Sequence, residues 1–222
     1  MDWTQYLDPL MQGAWVTIEL TIYSTVLGAL LAFSAGIGKI ARNPLIRVIS
    51  VTYIEIFRGT SLLVQLFWLY FALPVAGQAI GLDLRLPPVL AGVLALSLNI
   101  GAYGAEVVRG AIQAVHTGQY EAAQALNFTP RQRLWRIAIP QAIPEMMPSF
   151  GNLAVQNLKD TALVSLISLG DMTFRAEQIR NYTQDSTTVY TMLLLMYFGM
   201  ALVLTAIMRL LEHSVGRWRG AR

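Results

Sequence analysis

Residues 191 to 208, TMLLLMYFGMALVLTAIM, run without a single charged side chain. At about 1.5 Å of rise per residue, such a run reaches across most of a hydrocarbon core about 30 Å thick. A backbone there has no water to bond, so a run this uniformly apolar must satisfy its own amides as a helix. Residues 20–38, 59–82 and 86–105 are also free of charge. A fifth stretch, 146–170, is apolar except where Lys159 and Asp160 interrupt it. The expectation is one all-α, polytopic membrane domain covering 1–222, with five spans at about 13–38, 52–78, 86–110, 145–170 and 189–211.

Bulk composition agrees with a bilayer as solvent: 55% of the 222 residues are hydrophobic and only 13% are charged. The absence of cysteine rules out disulfides, thiolate-held metals and a thiol nucleophile, and two histidines make an imidazole metal site a poor expectation. Asp2 and Asp8 stand where a signal peptide would be basic, so the N-terminal segment is expected to be retained. Basic residues set the orientation. Lys39, Arg42 and Arg47 follow the first span, Arg109, Arg131, Arg133 and Arg136 the third, and Arg209, Arg217, Arg219 and Arg222 the fifth. By the positive-inside rule the N-terminus lies outside and the C-terminus in the cytoplasm. The net charge of +3 therefore calls for no nucleic acid, and the tail around Trp218 reads as an interfacial anchor.

One cytoplasmic segment departs from this apolar background: EAAQALNFTPRQRLWRIAIP, residues 121 to 140. Its first half is good helix former with Glu121 near the start, where a negative charge complements the helix dipole. Asn127 suits the left-handed residue that ends a helix. Thr129, Pro130 and Gln132 spell a capping box with proline at the first helical position. Pro140 reads as the next stop. Two short helices, about 118–126 and 130–139, follow, with Tyr120, Ala123 and Leu126, and then Leu134, Ile137 and Ala138, on their apolar faces. Such a pair suits an interfacial shelf or a dock for a cytoplasmic partner, and pattern alone does not separate the two. DNA binding is a poor fit, because no third helix supports the pair.

Polar side chains inside spans are costly unless they face protein or water, so they are the candidate pathway residues. The third span supplies Ser97, Asn99, Tyr103 and Glu106, of which Asn99, Tyr103 and Glu106 share a face. The second supplies Gln65, and the fourth Asn152, Gln156, Asn157, Lys159 and Asp160. Interhelical hydrogen bonding competes with pathway lining for Gln65, Asn99 and Gln156. Lys159 and Asp160, being adjacent, should point apart. Glu55 with Arg58, and Glu106 with Arg109, have the spacing of local ion pairs. Glycines 28, 36, 38, 92, 101 and 104 suit close helix contacts.

No phosphate-cradling G-x-x-x-x-G-K-[ST] loop is present, since the one Gly-Lys pair, Gly38 and Lys39, is followed by Ile40. Metalloprotease and serine-hydrolase motifs are missing too, so an intramembrane enzyme is disfavoured. An ion-coupled secondary transporter is the alternative transport class, although five spans show no internal repeat.

Four stretches carry a resemblance. YIEIFRGTSLLVQLFWLYFALP (53–74), LSLNIGAYGAEVVRGAIQAVHTGQYEAAQAL (96–126), IPQAIP (139–144) and LKDTALVSLIS (158–168) resemble, in order, the motifs of permease subunits of bacterial ABC importers, in the polar amino acid uptake branch. The resemblance implies a type I, methionine-permease-like transmembrane fold working by alternating access in the bacterial cytoplasmic membrane. It implies a coupling helix within about 117–140 that docks on the ATP-hydrolysing subunit, carried by Gly118, Gln119, Glu121, Ala122, Ala123, Asn127, Ile139, Pro140 and Gln141. It further implies a cytoplasmic ATPase dimer holding ATP and Mg, with no cofactor on this chain, a second identical or paralogous permease, and an extracytoplasmic solute-binding protein. Substrates of that branch are polar amino acids of the histidine, glutamine and arginine type, and compatible solutes such as ectoines. Departures from the pattern are Asn127 for a glycine, Ser61 for a proline, Ala162 for a serine and Pro144 for an arginine.

Overall fold

The computed structural model describes residues 3–216, so Arg217, Trp218, Arg219 and Arg222, and with them the expected tail anchor, lie outside the described residues. Every regular element among the described residues is helical. A short 3₁₀ turn leads into α1 (Leu7–Lys39), followed by α2 (Pro44–Gly59), α3 (Leu62–Phe67) and α4 (Leu73–Ala79). Then come α5 (Pro88–Gln113), α6 (Thr117–Ala125), α7 (Pro130–Gln132), α8 (Ile139–Asp160), α9 (Met172–Thr183) and α10 (Ser186–Gly216).

Four stretches are long and apolar enough to cross a membrane: Thr4–Lys39, Leu62–Ala79, Pro88–Gln113 and Ser186–Val215. The first starts earlier than expected, because the 3₁₀ turn and the first residues of α1 lengthen it at its N-terminal end. The expected second span, 52–78, is not one helix. Thr60 is extended, at φ −121° and ψ 154°, and breaks it into α2 and a new helix starting at Leu62. The expected fourth crossing, 145–170, is α-helical only to Asp160 and continues as a 3₁₀ turn, Thr161–Ile167. Prolines 144 and 148 and several polar side chains keep α8 outside the four apolar spans, yet it packs against α5, α1 and α10 inside the bundle.

Two prolines explain the irregular turns. A proline lacks an N–H and crowds the carbonyl four residues back, which ordinarily kinks or ends a helix. Here each of Pro74 and Pro140 is preceded by a π-helical turn, Trp68–Ala72 and Arg133–Ala138. In both turns the last bond spans five residues, from Leu73 N–H to the Trp68 carbonyl and from Ile139 N–H to the Leu134 carbonyl. The wider turn absorbs the proline and the chain stays helical. Pro140 is therefore not the stop expected from sequence; the segment beginning at Pro130 runs without interruption into α8.

The core is built on α1 lying along α5. A Cβ on Gly28 would strike Ile100 Cγ2, and one on Gly101 would lie 2.8 Å from Leu31 Cβ and 3.1 Å from the Gly28 carbonyl. Backbone meets backbone there, which only glycine permits. Each of the six glycines singled out above would carry a Cβ within 3.2 Å of another element. Buried clusters cap both ends of this pair: Leu20, Leu66, Ala95 and Val164 at one, and Ala32, Val108, Ile112, Ile139 and Met146 at the other, where α6 lies. Outer faces stay apolar and uncovered, as Leu194, Phe198, Leu202 and Leu210 on α10 show. Such surface is what a lipid-exposed bundle requires.

Candidate functional site: a polar cavity and a docking helix

The break at Thr60 opens a cavity of about 560 Å³ between the start of α3, α5 and α8. Asn99 and Tyr103 line it from α5, Gln156, Asn157 and Asp160 from α8, and Thr60 and Ser61 from the break itself. Leu62, Leu96 and Leu163 supply apolar wall. Of the nine pathway candidates, five therefore face one space. Thr60 carries no mark in the sequence, because an extended residue inside an uncharged run has no periodic signature, and Ser61 stands out there only as a departure from the family pattern.

The other candidates have different placements. Gln65 lies behind Asn99: its Nε2 donates to the Phe57 carbonyl (2.9 Å), the Thr60 carbonyl (3.2 Å) and Thr60 Oγ1 (2.8 Å). Asn99 Nδ2 donates to Gln65 Oε1 and to the Phe57 carbonyl, both at 3.1 Å. Carbonyls orphaned where α2 ends thus receive donors from two carboxamides. Ser97 is buried on another face of α5 and donates back to the Val93 carbonyl. Lys159 is exposed and does not line the cavity, while the neighbouring Asp160 does and accepts from Gln156 Nε2 at 2.9 Å. Asn152 is exposed and outside the lining. Asn157 is 2% exposed, with its amide spent on Ser24 Oγ (2.7 Å) and Thr25 Oγ1 (2.9 Å) of α1.

Glu106 sits beyond the cavity as the centre of an ion cluster. Its carboxylate meets Lys39 Nζ at 2.5 Å, Arg109 Nη2 at 2.8 Å and Arg58 Nη1 at 4.0 Å. The Glu106–Arg109 pair is as expected. The Glu55–Arg58 pair is not formed: Glu55 reaches Lys39 at 3.6 Å instead, and Arg58 lies 5.4 Å over the Tyr103 ring. The partly buried carboxylate on α5 attracts Arg58 more strongly than the exposed one on its own helix.

At the α6 end, the helix stop at Asn127 and the capping box read from sequence are both present. Asn127 has φ 56°, and Phe128 N–H bonds the Ala123 carbonyl at 2.9 Å, closing α6 in a Schellman turn. Thr129 and Gln132 exchange both bonds of the capping box. His116 Nδ1 accepts from Gly118 N–H at 3.1 Å, a cap that sequence reading passed over. Tyr120 donates from its hydroxyl to the Ile112 carbonyl at 2.9 Å, and burial pushes its phenol above the ordinary value. The nine residues expected to carry coupling divide by exposure. Ala123 and Ile139 are buried and Gly118 half-buried, whereas Gln119, Glu121, Ala122, Asn127, Pro140 and Gln141 are exposed. Gln141 Nε2 and Gln119 Oε1 approach to 3.4 Å, and Arg133 donates to Gln124 Oε1 at 3.2 Å. Leu126, expected on the apolar face, is instead 70% exposed, because the helix closes there and the residue turns outward.

Known proteins share this arrangement. Over its full length the chain is 70% identical to a probable amino-acid ABC transporter permease, y4tF, of Sinorhizobium fredii, covering 93% of that protein. The fold superposes on the crystal structure of an amino acid ABC transporter with histidines at a TM-score of 0.85 and 34% identity, covering 95% of this chain and 96% of that one. Inward-facing methionine transporter MetNI superposes at 0.75 with 18% identity, over 94% of this chain and 97% of that one, a likeness of fold alone that places the architecture among type I importer permeases. Residues 24–217 match the family of binding-protein-dependent transport system inner membrane components. That match decides between the two transport classes: the chain belongs to this family, and is an inner-membrane permease component of a binding-protein-dependent ABC importer.

Proposed function

We propose that this permease passes a polar amino acid or a related zwitterion, such as an ectoine-like compatible solute, through the cavity bounded by α3, α5 and α8. The cavity itself carries the reading. Carboxamides, hydroxyls and one carboxylate converge on a space of about 560 Å³ inside an otherwise apolar bundle, and polar groups persist there at a cost unless they serve transport or packing. Asp160 is the one charged residue of the lining, which suits the cationic end of a zwitterion. The substrate class named for y4tF agrees with this.

The driving force is ATP hydrolysis, with ATP and Mg held on a separate ATPase dimer, since this sequence has no phosphate loop. In this reading α6 is the coupling helix, its exposed Gln119, Glu121 and Ala122 engage the ATPase, and its end of the bundle faces the cytoplasm with the N-terminus outside. A second permease, identical or paralogous, completes the pathway, and a solute-binding protein delivers substrate from the other side.

The test is reconstitution of the chain with its ATPase and binding protein in vesicles. Uptake should need all three and ATP, and Asp160→Asn should lower uptake of the amino acid. Glu121→Lys should strip the ATPase from the purified permease without altering its thermal unfolding, because Glu121 is exposed. Uptake by the chain alone under an ion gradient would sink the proposal.

A further inference from the structure

Beside α6 lies a second groove, of about 490 Å³, that the transport pathway does not use. Ile37 and Ile40 from the end of α1, Ile112 from α5 and Leu134 make its apolar walls, and Arg42, Arg131 and Arg133 stand at its rim. No carboxylate is among its lining residues. Arg133 donates one bond to Gln124, while neither Arg42 nor Arg131 enters an ion pair among the described residues. Three guanidinium groups above an apolar trough complement an anion that carries a hydrocarbon chain.

We propose that this groove binds an anionic phospholipid, with its phosphate on Arg42 and Arg131 and an acyl chain along Ile37, Ile40, Ile112 and Leu134. Two further observations favour lipid over a protein occupant. First, the groove continues the uncovered face of α1, where Ile18, Ile22, Val26 and Leu30 are exposed. A chain lying on that face reaches the groove past a single exposed hydroxyl, that of Ser34, which is already bonded to the Leu30 carbonyl at 2.7 Å. Second, Trp135 is 54% exposed and shares a shallow depression with Arg131 and Arg136. An exposed indole among arginines is the composition of a headgroup-level anchor. Tyr120 lines the groove but Glu121 and Ala122 do not, so the lipid leaves the outer face of α6 free. The two halves of the 117–140 segment thus do different work: α6 is open for a protein partner, and residues 130–136 rest on lipid. In the proposed orientation this end of the bundle faces the cytoplasm, where juxtamembrane basic residues attract anionic headgroups.

The test uses the assembled transporter in phosphatidylcholine nanodiscs containing a photoreactive phosphatidylglycerol. Labelled peptides should map to 37–42 and 130–134, and unlabelled phosphatidylglycerol should compete while phosphatidylcholine does not. Arg42→Gln together with Arg131→Gln should cut labelling by roughly fivefold or more, while Arg209→Gln, outside the groove, should leave it unchanged. If the double variant does not assemble, the competition on the unaltered protein decides alone. Equal labelling by a phosphatidylcholine probe, competition by inorganic phosphate, or protection of 130–134 by the ATPase subunit would each overturn the proposal.

Discussion

Lys39 and Glu106, 67 residues apart, meet at 2.5 Å between the end of α1 and the last turns of α5. Among the described residues Glu106 is the only carboxylate shared by Lys39, Arg58 and Arg109, and of the three only Lys39 has a second carboxylate within reach, the exposed Glu55 at 3.6 Å. Glu106→Gln leaves those cations facing one another. Allowing for partial exposure, the loss should be about 1–3 kcal/mol, read as a lower unfolding temperature in detergent. Lys39→Met should cost clearly less in the Glu106→Gln background than alone. Strictly additive costs would mean that the pair is not coupled.

Gln65 and Asn99 form a relay that holds the break at Thr60 open. Gln65→Leu roughly keeps the volume but removes the donors to Phe57 and Thr60, leaving the Thr60 carbonyl without its side-chain donor at the cavity edge and the Phe57 carbonyl with the bond from Asn99 alone. We expect a loss of about 1–2 kcal/mol in stability and a fall in ATP-driven uptake. Gln65→Glu, which keeps an acceptor for Asn99 but removes the donors, should fail in the same way. Normal uptake by both variants would show that the break needs no such support.

Asn157 lines the cavity, but its amide is turned into α1, where Ser24 and Thr25 receive it. Asn157→Leu should therefore lower the unfolding temperature by the equivalent of about 1 kcal/mol, the usual scale for a polar contact between membrane helices. Ser24→Ala should reproduce most of that loss and add little to it. An Asn157→Leu protein of unchanged stability and impaired uptake would instead make Asn157 a substrate contact.

Local signals were legible in the sequence and long-range ones were not. Asn127 and the Thr129–Gln132 box act over a few residues, and each takes the conformation its chemistry favours. The glycines of α1 and α5 were legible as contact points, because small residues in apolar helices have few other uses. Pro140 is not the stop expected, since a proline signals a disrupted helix without telling whether a π turn before it keeps the chain helical. Lys39 could not be assigned to Glu106 rather than to solvent, because the pairing follows from the crossing of α1 and α5. Asn99, Gln156 and Asp160 were legible as polar residues in spans, yet their convergence on one cavity depends on an extended Thr60 that periodicity does not reveal.

Asp171 is fully buried at the start of α9, where its carboxylate accepts the N–H groups of Thr173 and Phe174, each at 3.1 Å. These bonds favour the charged form, but burial outweighs them and pushes the carboxyl up to about 6 from an ordinary 3.8. The folded protein therefore holds this proton more tightly than the unfolded chain does. The resulting stabilisation is fully present below the unfolded value and is lost as pH rises through about 6, at most about 3 kcal/mol in all. Asp185, which Thr188 holds below its ordinary value, titrates beneath that window and does not obscure it. Asparagine caps a helix as well as aspartate does, so Asp171→Asn should keep α9 while abolishing the slope. Unfolding temperatures measured between about pH 4 and pH 6.5 should fall in the unaltered protein and change much less in the variant. A protein that grows more stable across that interval, or a variant with the same slope, would show that the burial of Asp171 does not govern its proton.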